Sequence, residues 1–232
     1  MWETFSLPKK IFIFIFSLGL LLVLLVIASR ANPVIEFADP QLELYVRERL
    51  NRPSRAIYQT DLLIINQIDA SNRGIRDLRG LEHFTRLTVL NLADNQIVDL
   101  EPLLGLDKLV ELDLQGNQIG DIQVLGRLNS LQKVNLRDNG LGDISPLGHL
   151  TDLRYLNLRG NDISDLEPIA HLTGLTYLNL HSNQGIGSIG FLQDFTNLES
   201  LILRNVPVGD NIQIISSMPY LRHLNLRNTG IT

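Results

Sequence analysis

The chain is 232 residues long and 44% hydrophobic, enough for one domain with a substantial core. It has no cysteine, which excludes disulfide frameworks and cysteine-ligated zinc. A formal charge of −5 gives no ground for a nucleic-acid partner.

The first feature in chain order is "IFIFIFSLGLLLVLLVIA", Ile11–Ala28, eighteen residues without a charge, preceded by Lys9 and Lys10. As a helix rising about 1.5 Å per residue it spans roughly 27 Å, close to a bilayer's hydrocarbon thickness. Residues 1–31 are therefore expected to be a signal anchor, a single membrane pass with the lysines keeping the amino terminus cytoplasmic and the rest outside. A secretory signal removed after Ser29-Arg30-Ala31 is the alternative, although an Arg there is awkward and the run exceeds a usual signal core of about 7–15 residues. A buried helix of a soluble protein is the third option.

Residues 34–64 follow, with "FADPQLELYVRERLNRPS" at their centre. Asp39 before Pro40 is a helix start, Asp as N-cap and Pro at the first helical position. Leu42, Tyr45, Val46 and Leu50 fall on one face, and Pro53 is expected to stop the run. Such a helix can close the open end of a stacked structure.

From residue 65 the chain repeats. Units begin at Ile65, Leu87, Leu109, Leu131, Leu153, Leu175, Leu198 and Leu221, with five steps of 22 residues and two of 23. The period and the L-x-x-L-x-L-x-x-N pattern are the signature of leucine-rich repeats. Leucines at positions 4 and 6, such as Leu156 and Leu158, alternate with polar residues as in a short strand with one buried face. Apolar positions 1, 11, 14, 17 and 20 point inward from the turns, so the core closes only when neighbours stack. The expected fold is an α/β solenoid: a horseshoe with a parallel β-sheet on the concave face, short 3₁₀ or helical turns on the convex side and a helical amino-terminal cap.

Position 9 is Asn95, Asn117, Asn139, Asn161 and Asn183. An amide can satisfy the backbone groups that leave the strand ladder there, so these are assigned a structural role. Position 13 is Asp77, Asp99, Asp121, Asp143, Asp165 and, out of pattern, Asp210, expected to cap the outer turns. His83, His149 and His171 share position 19; nothing nearby completes a ligand set, so no metal site is expected. The last unit reaches Thr232 twelve residues in, which suggests a fragment or truncated product, an end covered by another molecule, or a fraying coil.

"DLEPLLGLDKLVELDLQGNQIGDI" and its neighbours resemble the 22-residue repeats of the internalin family of bacterial surface proteins. "FADPQLELYVRERLN…DLLIINQIDASNRGIRDLRGLEHFTRLTVLNL" is similar to that family's helical cap running into its first repeat. The resemblance covers about residues 36–232. It implies a curved, non-enzymatic, surface-displayed domain that binds proteins or glycans. An envelope scaffold for another membrane protein, or a truncated piece of a larger internalin-like protein, is the alternative. No carboxy-terminal Ig-like module, wall-sorting signal or lipid signal is visible, so attachment is expected through the amino-terminal segment. No G-x-S-x-G, P-loop or H-E-x-x-H occurs, and no enzyme activity or cofactor is expected.

Positions 3, 5 and 7 face the concave side, where the repeat pattern leaves identity open. The first half is acidic through Asp69, Glu111 and Asp113. The second half aligns Arg137, Arg159, His181, Arg204 and Arg227 beside Tyr155, Tyr177 and His223. Like charges in register repel, so folding does not call for this column, and Arg and Tyr are enriched at binding hot spots. These eight residues are the candidate partner site, for an acidic peptide, an acidic protein patch or a glycan. The competing explanation is that Arg stems merely shield the strands, with Asp138 relieving the repulsion.

Overall fold

Each repeat has a strand of only three residues, positions 3–5, beyond which the chain turns, although side chains keep alternating in and out as far as position 7. The computed structural model describes residues 32–231; the run Ile11–Ala28 lies outside them. Among the described residues, eight such strands form one parallel sheet in chain order: β1 Gln67–Asp69, β2 Val89–Asn91, β3 Glu111–Asp113, β4 Lys133–Asn135, β5 Tyr155–Asn157, β6 Tyr177–Asn179, β7 Ser200–Ile202 and β8 His223–Asn225. Position 3 pairs with position 3 throughout, as Tyr155 with Tyr177 and Tyr177 with Ser200. The two extra residues are therefore absorbed outside the strands. No helix among the described residues is long and apolar enough to cross a membrane.

The core is one continuous column. In the coil from Leu153, the side chains of Leu153, Leu156, Leu158, Ile163, Leu166, Ile169 and Leu172 are all buried. Completely burying one Leu or Ile is worth about 1.5–3 kcal/mol, and the first six coils each bury a comparable set, whereas in coil 8 Leu224 is exposed.

The Asn at position 9 fastens each coil to the one before. Asn161 Nδ2 donates to Leu158 O (2.9 Å) in its own coil and to Leu136 O (3.0 Å) in the previous coil, while its Oδ1 accepts from Leu141 N (3.1 Å). Asn95, Asn117, Asn139 and Asn183 make the same connections. The pattern ends at coil 7, where Val206 is buried, and in coil 8 Thr229 Oγ1 donates to Leu226 O (2.8 Å) instead.

On the convex side the return path is a 3₁₀ turn in most coils, such as Glu101–Leu103, Gln123–Arg127, Ser145–His149 and Glu167–Ile169. Asp99, Asp121, Asp143 and Asp165 cap these turns from one residue farther out than an N-cap, each Oδ1 accepting the amide two residues on at 2.8–2.9 Å. Ser145 holds the Asp143 carboxyl below its usual range. The side chain of Asp210 lies outside the described residues.

At the amino-terminal end, α1 (Pro40–Leu50) lays Leu42, Tyr45 and Val46 on the first coil. Asp39 caps it through Gln41 N (2.7 Å) and Leu42 N (3.3 Å), and its other oxygen accepts from Arg76 N (2.7 Å) and Asp77 N (3.2 Å) of the first repeat. One carboxylate thus joins cap to solenoid. Burial would raise the Asp39 pKa, but these four amides outweigh it and hold the carboxyl below its usual range. The helix stops at Asn51, which takes a left-handed φ of 53° and donates to Arg47 O and Glu48 O, two residues before Pro53. A short helix, α2 (Gln59–Leu62), leads into β1.

Candidate functional site

The concave face is built from positions 3, 5 and 7, and these turn out not to be equally free. Position 5 is a turn-former. Its side-chain oxygen accepts the position-7 amide at 3.0–3.3 Å in seven coils: Asp69 to Ser71, Asn91 to Ala93, Asp113 to Gln115, Asn135 to Arg137, Asn157 to Arg159, Asn179 to His181 and Asn225 to Arg227. The fold therefore selects Asx at position 5, contrary to the expectation that strand alternation leaves it open. Position 8 is constrained as well. Asn72, Asp94, Gly116, Asp138, Gly160, Ser182, Asn205 and Asn228 all have φ between 51° and 67°, the left-handed region that favours Gly, Asn and Asp. Both constraints were present in the letters, as a recurring Asx at one position and an Asn/Asp/Gly mixture at the other.

Positions 3 and 7 remain. At position 3 the rings of Tyr155 and Tyr177 stack with centroids 4.2 Å apart and planes 9° from parallel. Lys133 Nζ lies 5.6 Å from the Tyr155 ring centre and 3.1 Å from Glu111 Oε2. Burial, followed by the neighbouring Tyr177 phenol, pushes the Tyr155 pKa up to about 12. Both rings stay half-exposed.

At position 7, Arg137 Nε donates to Asp138 Oδ2 (2.7 Å), so one guanidinium of the column is neutralised. Asp138 is itself pinned over Gly160, where an added Cβ would lie 2.2 Å from its Oδ1. The Arg159 guanidinium has no hydrogen-bond or ion-pair partner among the described residues. His181 is 9% exposed, the deepest member of the set, and burial followed by Arg159 and Arg204 lowers its pKa. Arg204 is half-buried, and its Nε is walled off from solvent with no acceptor. His223 and Arg227 are exposed on β8.

The acidic half forms a separate hollow of about 450 Å³ between α1 and β1–β4, lined among others by Tyr45, Arg49, Asp69, Glu111, Asp113 and Lys133. On the convex side, His171 Nε2 lies 2.7 Å from Gly148 O. No group of three His, Cys, Asp or Glu among the described residues could hold a metal ion.

Three-residue parallel strands, an Asn-bridged turn and 3₁₀ return segments define a leucine-rich repeat protein. The profile of the family described as Leucine Rich repeats (2 copies) matches residues 85–127, 107–149, 129–171 and 151–194. Internalin C2 of Listeria monocytogenes is similar in structure, with a TM-score of 0.76 and 30% identity over 84% of this chain and 91% of that one. The chain belongs to the internalin-type leucine-rich repeat family. The internalin InlF of the same organism is similar with a TM-score of 0.77 and 32% identity over 81% of this chain; the chain spans 56% of InlF's length. The leucine-rich repeat protein LIC12759 of Leptospira interrogans shares the fold at 23% identity and a TM-score of 0.68, over 73% of this chain and 45% of that one. No curated protein matches the chain.

Proposed function

We propose that this protein is a binding module displayed outside the cytoplasm, anchored by Ile11–Ala28, that captures an acidic protein segment on the carboxy-terminal half of its concave face. The supporting observation is the stacked, half-exposed Tyr155–Tyr177 pair beside the unpartnered Arg159 guanidinium. Neither feature serves the repeat: Val89 and Glu111 hold position 3 in other coils, and Ala93 and Gln115 hold position 7. Rigid aromatic surface next to a charged fork is what protein hot spots are made of. The lysines before the apolar run and the length of that run support the anchored orientation.

The test uses the full chain in lipid nanodiscs as bait for surface-exposed proteins, at rising salt. Wild type is compared with Tyr155→Ser/Tyr177→Ser, with Arg159→Ala and with the convex control Leu104→Ala. Capture should fall by roughly thirtyfold in the tyrosine variant, the equivalent of a hot-spot loss of about 2 kcal/mol. It should weaken with salt in the wild type and be unchanged in the control. Equal capture by all four proteins would refute the proposal.

A further inference from the structure

Coil 7 breaks the position-5 rule. It carries Ile202 where five other coils have Asn and two have Asp. In every one of those seven the position-7 amide donates to that side chain; in coil 7 the Arg204 amide donates to no acceptor among the described residues. The side chain of the same residue repeats the deficit, since Arg204 Nε is buried and unbonded. Two N–H donors on one residue are left without acceptors among the described residues: the amide, for which the pattern would have supplied an oxygen, and the buried Nε. A buried donor in that condition costs about 1–3 kcal/mol, and more when charged.

The neighbours match the deficit. His181, one strand away, is nine-tenths buried and its ring makes no hydrogen bond among the described residues. The charged groups that face it are Arg159, Arg204 and Arg137, opposed only by Asp138. Ile202 is half-buried and offers apolar surface. Tyr155 covers one face of Tyr177, and on the other side the register places only Ser200.

We infer that coil 7 holds a carboxylate site, in which Arg204, His181 and Arg159 seat the glutamate or aspartate side chain of an extended protein segment, with Ile202 and Tyr177 taking its methylenes. This rests on the proposed binding role and locates its anchor. A bound carboxylate would favour the protonated His181 that the surrounding arginines now disfavour, so binding takes up a proton and tightens as the pH falls.

The chain has five histidines, so imidazole NMR of the full chain in detergent micelles can follow each one, His181 being identified by its loss in His181→Gln. The probe is the capped peptide acetyl-Gly-Glu-Gly-amide, with its Gln twin as control. The Glu peptide should shift the His181 resonance and raise its titration midpoint; the Gln peptide should do neither. Ile202→Asn restores the repeat's own acceptor and should keep the fold while weakening the peptide about tenfold, one hydrogen bond to a charged group. Arg204→Lys should weaken it similarly. Equal effects of both peptides, or an unchanged affinity in Ile202→Asn, would overturn the inference. If the peptide has no effect while tyrosine-dependent capture persists, the carboxylate site is wrong and the binding module stands. If the peptide binds as described but capture ignores the tyrosines, the module reading fails instead.

Discussion

Replacing Asn161 by Ala removes four hydrogen bonds, yet their loss is unequal. Leu136 O keeps its bond from Asn139 and Leu158 O keeps its bond from Asn183, so each carbonyl retains one of two donors. Arg159 O loses only a long contact at 3.4 Å. Leu141 N loses its acceptor within the buried turn. One orphaned N–H costs about 1–3 kcal/mol and two surrendered bonds about 0.5–1 each, a total of about 2–5 kcal/mol. In a domain of this size that lowers Tm by roughly 5–15 °C. Urea unfolding of the full chain in detergent, with the exposed Gln118→Ala as control, measures it. Asn161→Asp sharpens the test: it keeps the acceptor for Leu141 but turns a carboxylate toward two carbonyl oxygens. It should be less stable than the Ala variant at neutral pH and, unlike it, recover on acidification as the carboxyl protonates. A loss below about 0.5 kcal/mol for Asn161→Ala, no more than a surface substitution, would refute the bridging account.

Three further outcomes are expected. Asp39→Ala should cost about 1–2 kcal/mol for the helix cap, plus its two bonds to the first repeat. Because its folded pKa lies below the ordinary 3.8, the wild type holds this contribution above that value and loses it as pH falls through the folded pKa, whereas Asp39→Ala shows no such segment in a stability–pH profile. Gly160→Ala places a Cβ at φ 67° and 2.2 Å from Asp138 Oδ1; differential scanning calorimetry should show a loss of about 1–2 kcal/mol or more. In a phenolate absorbance titration Tyr155 should ionise near pH 12, and earlier in Tyr177→Ala.

The solenoid was legible because its determinants are periodic: buried leucines, the turn Asn and the outer Asp each recur at a fixed offset and act between adjacent coils. Which strand residues face the same side was legible for the same reason, and that put Tyr155, Tyr177 and the Arg column together. The Asx bonds of position 5 were not read, because period-2 alternation describes side-chain direction and says nothing of the amide two residues on. Nor was the depth of His181, since most other coils carry half-buried or exposed side chains at the same position of the repeat. The tyrosine stack needed ring orientation, which register alone does not supply. That Ile202 withholds an acceptor is visible only against the seven coils whose position-5 side chain supplies one.

A photo-crosslinking amino acid placed at Tyr177 of the full chain in lipid nanodiscs, and separately at the exposed Val98, outside the strands, asks directly which surface meets the partner. The account predicts a discrete protein adduct from position 177, lost at high salt, and none from position 98. Adducts from position 98 alone, or the same adducts from both, would contradict it.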